Sequence, residues 1–102
     1  MNILRNEAIS IETASRAAAI FTALGDTTRL RILALLLDGR QSVSEICAAV
    51  AMSQPAVSHH LRLLRLTRII RAEKEGKYIY YDLDDEHVRG LIERAIEHIQ
   101  HE

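Results

Sequence analysis

Cysteine, proline, glycine and tryptophan are scarce or missing in this chain, and each shortage excludes something. A single cysteine, Cys47, cannot build an intrachain disulfide framework. One proline and four glycines in 102 residues leave no Pro- or Gly-rich linker, and no low-complexity tract or internal repeat interrupts the chain. No apolar run approaches the roughly 20 residues a membrane span requires. The opening residues Met1 to Glu7 lack the charged-then-apolar order of a secretory signal, so the expected location is the cytoplasm. No nucleophile constellation is present either, and an enzyme is not expected.

What is present is a globular composition, 48% apolar and 26% charged, at a length suited to one domain spanning 1–102. A chain this short buries a modest fraction of its surface, so a second copy would be a natural source of extra core. The net charge of −1, taken whole, argues against a nucleic-acid ligand. Its distribution reverses that argument. Residues 1–52 hold five basic and five acidic side chains, residues 53–83 six against three, and residues 84–102 two against six. A basic middle beside an acidic, histidine-bearing tail suggests two partners of opposite sign, phosphate and a cation.

Apolar spacing divides the chain into an α-α-α-α-β-β-α order, mainly helical with one hairpin. Ser10 to Leu24 is Ala-rich, with Ile11, Ala14, Ala18 and Phe21 at helical intervals, and Gly25 suits its end. Asp26 caps a second helix carrying Leu30, Leu33, Ala34 and Leu37, which should stop at Gly39. Ser42-Val43-Ser44-Glu45 is a capping box that opens a short helix to Val50. After Ala51-Met52, Ser53 caps a fourth helix with Pro55 in its first turn, running to about Leu66. Ile69–Glu73 and Tyr78–Leu83 are β-branched and aromatic, and Lys74-Glu75-Gly76-Lys77 between them supplies the turn. Asp84-Asp85 begins a last helix to His101, striped by Val88, Leu91, Ile92, Ala95, Ile96 and Ile99.

The third and fourth helices, joined by a tight turn, predict a helix-turn-helix, whose second helix enters the major groove of DNA by its first turns. There the chain offers Ser53, Gln54, Ser58, His59 and Arg62, while Val57, Leu61 and Leu64 face inward. Gln can bond adenine twice; Ser and Arg suit phosphates or guanine edges. Arg65, Arg68 and Arg71 prolong the basic strip, and Lys74 and Lys77 make the hairpin a wing for the flanking backbone.

The last helix carries a second pattern. His87, His98 and His101 fall within about 60° of one another around its axis, yet His87 and His98 lie about 16 Å apart along it. A zinc ion holds its ligands at about 2 Å, so one helix cannot bring both ends to one ion. An antiparallel copy across a two-fold axis can, generating two equal sites. The fourth ligand would be Asp85, off the helical face but within reach if Asp84 caps the helix and leaves Asp85 unwound. Three nitrogens and one oxygen suit tetrahedral zinc or cobalt. Spacing alone leaves the bland reading open as well: a helix-start carboxylate, and histidines compensating a helix dipole. Under that reading the chain is a constitutive or thiol-responsive DNA-binding regulator without a functional metal site.

Three segments resemble one family. Ala23-Leu24-Gly25-Asp26-Thr27-Thr28-Arg29-Leu30-Arg31-Ile32-Leu33, Ser53-Gln54-Pro55-Ala56-Val57-Ser58-His59-His60-Leu61 and Gly76-Lys77-Tyr78-Ile79-Tyr80-Tyr81 are similar, in that order, to the ArsR/SmtB metal-sensing repressors. The resemblance implies a winged helix-turn-helix homodimer joined through its first and last helices. It implies binding to an imperfect inverted repeat in operator DNA, with Gln54, Ser58 and His59 in contact and Pro55 standing where a polar residue is common. It also implies that Asp85, His87, His98 and His101 form the last-helix zinc site, as an allosteric effector site that releases DNA. His98 would pass its effect to a backbone carbonyl near Arg68. Ser42 and Ser44 stand where the family's cysteine site would be, which disfavours lead, cadmium or arsenic, and Cys47 reads as a small core residue.

Overall fold

The computed structural model describes residues 8–101; Met1 to Glu7, where no signal-peptide order is expected, and Glu102 lie outside the described residues. The elements run α1 (Ile11–Leu24), α2 (Thr27–Leu36), β1 (Gln41–Ser42), α3 (Val43–Val50), α4 (Gln54–Leu66), β2 (Ile70–Glu75), β3 (Tyr78–Leu83) and α5 (Glu86–Gln100). The expected order holds with one addition. Strand β1 pairs antiparallel with β3, Gln41 opposite Tyr81 and Ser42 opposite Tyr80, making a three-stranded sheet in the order β1-β3-β2. Two residues carry no periodicity, so nothing but the pairing itself reveals this strand.

Every helix starts on a polar side chain that accepts an amide otherwise unsatisfied at its first turn. Ser10 accepts from Thr13, Asp26 from Arg29, Ser53 from Ala56 and Asp85 from Val88, while Ser42 and Glu45 complete the reciprocal box. Two expectations need correction here. Asp85, not Asp84, is the cap of α5, because its own carboxylate reaches the Val88 amide at 3.0 Å. Helix α2 ends at Leu36 rather than running to Gly39, and it buries Ile32, Leu33 and Leu36 while Leu30 is exposed. The hairpin is also longer than expected. Lys74 and Glu75 belong to β2, leaving Gly76-Lys77 as a two-residue loop whose first φ is +63°. A positive φ at that first position is the type II′ pattern, which fits the right-handed twist of the strands.

Two left-handed positions without glycine flank α4. Ala51 (φ 55°) closes α3 and Arg68 (φ 57°) follows α4. At the second, the Ile69 amide bonds the Leu64 carbonyl at 2.9 Å and the Arg68 amide bonds that of Arg65 at 3.0 Å. This is the paired Schellman arrangement, with buried Leu64 and Ile69 as its apolar contact. A non-glycine residue there costs roughly 1 kcal/mol, which the contact offsets.

Helices α2, α3 and α4 and the base of the hairpin share the core: Ile32, Leu33, Leu36, Ile46, Val50, Val57, Leu61, Leu64, Ile69, Ile70 and Leu83. Helix α1 buries in it only Ala23, and α5 only Ile92, with Ile20, Leu24, Val88 and Ile96 half-buried against it. The expected stripes on these two outer helices are thus largely uncovered within one chain. Ile11 is 90% exposed, Phe21 and Ile99 each 63%, and Leu91 41%. Such a fold is elongated, with extents of 49 × 33 × 21 Å and a radius of gyration of 15.1 Å. A spherical chain of this length would have about 13 Å.

Candidate DNA interface and metal half-site

Helix α4 turns Val57, Leu61 and Leu64 fully inward and leaves Gln54, Ser58, His59 and Arg62 exposed, the division that the spacing predicts. Ser53 caps the helix through its oxygen, so its hydroxyl proton remains available to a phosphate. His60 instead lies half-buried against the start of α2, with Nδ1 3.4 Å from an Arg29 nitrogen and 3.9 Å from an Asp26 oxygen. Arg29 in turn donates to the Ala23 carbonyl at 2.7 Å, so the end of α1, the start of α2 and α4 meet at one polar joint.

The hairpin separates charge by face. Its register places Arg71 opposite Asp82, Glu73 opposite Tyr80 and Glu75 opposite Tyr78, so these six side chains share the outer face. All three wing carboxylates lie there, and they are neutralised. Arg40, from the loop before β1, lies 3.5 Å from Glu73, pairs with Glu75 and stacks 4.4 Å over the Tyr80 ring. Arg71 contacts Glu73 at 3.2 Å and Asp82 at 3.5 Å. The opposite face carries Ile70, Ala72 and Lys74 with Ile79, Tyr81 and Leu83, and it turns toward α4. A cleft between them is lined by Ser58, Arg62, Arg65, Leu66 and Tyr81. Among the described residues Arg62, Arg65, Arg68, Lys74 and Lys77 make no salt bridge. Lys77 lies 5.6 Å above the Tyr78 ring.

Arg71 therefore departs from the expected basic strip: its donors are already used inside the chain. Arg65 keeps its expected place in the strip, and Tyr81 is gained beside it as a candidate phosphate contact. Strand alternation could have found Tyr81, since it shares a face with Lys74's partner Ile79. No local signal marks Arg40, which acts on residues far away in sequence.

At the start of α5, Asp85 is extended (φ −157°, ψ −179°), and its second oxygen lies 3.6 Å from Nδ1 of His87. The Val88 amide, followed by the His87 ring, holds the Asp85 carboxyl below the usual carboxylate range. Both side chains are open to solvent and border a groove that also includes Arg16 and Ile20 of α1 and Leu66, Thr67 and Arg68 at the exit of α4. His98 and His101 are exposed at the other end of α5, where His101 closes the helix. Among the described residues no three His, Cys, Asp or Glu side chains gather tightly enough to hold a metal ion. A nitrogen and an oxygen lie together at one end of the helix, and two further nitrogens lie at the other. The donor set fits zinc or cobalt only as halves contributed by two chains. Ser42 is committed to its helix cap and Cys47 is half-buried on α3, so no thiolate pair exists there.

Fold and basic face together define a winged helix-turn-helix DNA-binding protein. Residues 26–72 match the family model described as "Bacterial regulatory protein, arsR family". The chain is similar to a transcriptional repressor SmtB homolog of Synechocystis, 37% identical over 92% of this chain and 71% of that one. It is also similar to a cadmium resistance regulatory protein CadC homolog of Staphylococcus aureus, 45% identical over 79% and 68%. Among solved structures, a homodimeric winged helix-turn-helix domain from Mycobacterium bovis superposes with a TM-score of 0.81 at 28% identity, covering 92% of this chain and 90% of that one. The chain belongs to the ArsR/SmtB family of DNA-binding transcriptional regulators, which are not enzymes. No helix among the described residues is long and apolar enough to cross a membrane.

Proposed function

We propose that this chain is a homodimeric transcriptional repressor that lets go of its operator, an imperfect inverted repeat, when zinc or cobalt is bound between its two copies. The observation that carries the reading is the Asp85–His87 pair, exposed at 3.6 Å separation in a groove it shares with the exit of α4. Four ligands would come from two chains: Asp85 and His87 of one, and the partner subunit's His98 and His101. A bound ion would supply a fixed crosslink between two helix ends that otherwise move independently. The exposed apolar faces of α1 and α5 support pairing through those helices, since Phe21, Leu91 and Ile99 would be covered there. Repression and cadmium resistance are the named roles of the two relatives above, and they support a repressor that responds to metal. The hard, thiol-free donor set favours zinc over the softer cadmium.

In the DNA-bound state, Gln54, Ser58 and His59 read base edges, Ser53 and Arg62 reach the groove and its phosphates, and Lys74 and Lys77 hold the flanking backbone. Arg68, at the left-handed exit of α4, borders the same groove as His87. An imidazole arriving there could donate its second N–H to the Arg68 carbonyl and so bias the seating of α4.

Fluorescence anisotropy on a promoter duplex, with and without zinc, tests this reading. Zinc is expected to weaken binding by a factor within about 5–150, the usual span of coupling between sites. Cobalt absorption, followed by zinc competition, should report one four-coordinate ion per chain. His98→Asn should abolish the zinc effect while sparing metal-free DNA binding. Unchanged or tighter operator binding with zinc would overturn the direction of control. Absence of stoichiometric metal would leave a constitutive or thiol-responsive regulator.

A further inference from the structure

Arg71 is the one cation of the basic segment that no DNA phosphate can readily recruit. Its Nη1 donates to the Leu83 carbonyl at 2.9 Å and to the Asp84 carbonyl at 2.8 Å. Its Nε donates to Glu73 at 3.2 Å, and Nη2 lies 3.5 Å from Asp82. One planar guanidinium thus joins two places. The carboxylates belong to the wing; the carbonyls belong to the passage from β3 into α5. A second tie is parallel to the first, because the Asp84 amide donates to the Ile69 carbonyl at 3.0 Å. Residue 84 is therefore gripped on both sides, by Ile69 just before β2 and by Arg71 within it, and the next residue is Asp85.

We infer that Arg71 is the positioning residue that couples the Asp85–His87 half-site to the DNA-contacting wing; the inference rests on the metal reading proposed above. Asp85 has no backbone support from a strand, and its extended conformation continues directly from the Asp84 peptide. A bound ion that draws the Asp85 backbone out of its extended conformation turns that peptide, whose oxygen Arg71 holds. The same guanidinium bonds Glu73 and contacts Asp82, so the turn is passed to β2 and β3 and moves Lys74 relative to α4. Lysine could not replace it. Its single ammonium can reach the carbonyls or the carboxylates, but it lacks the planar fork that serves both.

The test uses the full-length dimer and three measurements: zinc affinity by chelator competition, metal-free operator affinity, and operator affinity with zinc bound. Arg71→Gln and Arg71→Lys should each keep metal-free operator affinity within about threefold of wild type, while the zinc-induced weakening falls by about tenfold or to nothing. The salt dependence of DNA binding should stay as in wild type. A phosphate contact would instead lose about one unit of slope and weaken every DNA sequence alike, an outcome that overturns the inference. Full zinc coupling in both variants overturns it equally. Because the loss of Arg71 could unfold the hairpin, the pair Glu73→Gln and Asp82→Asn provides a second route. It leaves Arg71 on the carbonyls, frees it from the wing, and should also lower the coupling; unchanged coupling in that variant counts against the inference. A wild type indifferent to zinc is a different failure, removing the metal reading itself.

Discussion

Helix α4 and the hairpin satisfy their needs inside one chain, whereas α5 does not. On α4, Val57, Leu61 and Leu64 are fully buried, and the wing's carboxylates are neutralised on the face turned away from α4. What faces outward is a set of free cations and polar side chains. Helix α5 buries Ile92 alone, exposes Leu91 and Ile99, and carries four prospective ligands divided between two ends. The surface proposed for DNA is thus formed within one chain, while the proposed metal ligands lie at two ends of α5 and would meet only if a second copy supplied the other half. Under the proposed function, metal binding and dimer geometry would then form one equilibrium.

The sharpest way to break this contrast is to keep each chain folded and separate the pair. Leu91→Glu together with Ile99→Glu places charges at positions already exposed in one chain. The variant should sediment as a monomer with a native helical spectrum and bind the inverted repeat about 100-fold more weakly or worse, because two linked half-site contacts become one. A dimer that persists would place the contact elsewhere.

Stability separates the two regions next. Leu64→Ala removes a fully buried side chain and should cost about 2–5 kcal/mol in urea denaturation at any protein concentration. Leu91→Ala should act chiefly through association, so its midpoint would depend more steeply on protein concentration than that of wild type. If Leu91→Ala lowered stability independently of concentration, α5 would be finished within its own chain and the contrast would fail.

A smaller effect lies inside the complete region. Ala51 sits at φ 55° and ψ 48°, where a methyl group crowds the following carbonyl oxygen. Ala51→Gly should raise stability by about 0.5 kcal/mol after the added freedom of the unfolded chain is subtracted, read as a higher midpoint in denaturant. A lower midpoint would mean that the methyl group packs usefully in the turn.

How far the sequence could be read follows the same division. Caps, the helix-turn-helix and the wing were legible because their signals are local: Ser42 with Glu45, Pro55 at a helix start, Gly76 at the hairpin loop. Strand β1 was not, because two residues have no period, and neither was Arg40, whose carboxylates lie more than thirty positions away. The stripes on α1 and α5 were visible as apolar periodicity, but periodicity cannot say whether the covering surface comes from the same chain. For the metal ligands, spacing placed His87 and His98 at opposite ends of one rod. It mistook which aspartate caps that rod, since Asp84 and Asp85 have identical side chains and only the backbone decides between them.

The smallest expected effect concerns the joint between the outer and reading helices. Asp26 caps α2, and its carboxyl is held below the ordinary 3.8, first by the Arg29 amide and then by the Arg29 and His60 charges. A lowered folded value means that the ionised form is favoured by folding. Its contribution is therefore complete above the ordinary value and is lost as the pH falls through the lowered one. Asp26→Asn keeps an accepting cap but removes the titration. At fixed protein concentration its urea midpoint should lie slightly below wild type at neutral pH and decline less steeply between about pH 5 and 2. A parallel decline would show that the acid sensitivity arises at another carboxylate, with Glu45 and Asp85, both also held low by backbone amides, as the groups to substitute next. The three carboxylates stand at the starts of α2, α3 and α5, so the acid profile also reports which region yields first. If Asp85→Asn alone flattened it, the opening of α5 would precede the loss of the core, as expected of the helix that depends on a partner for its burial.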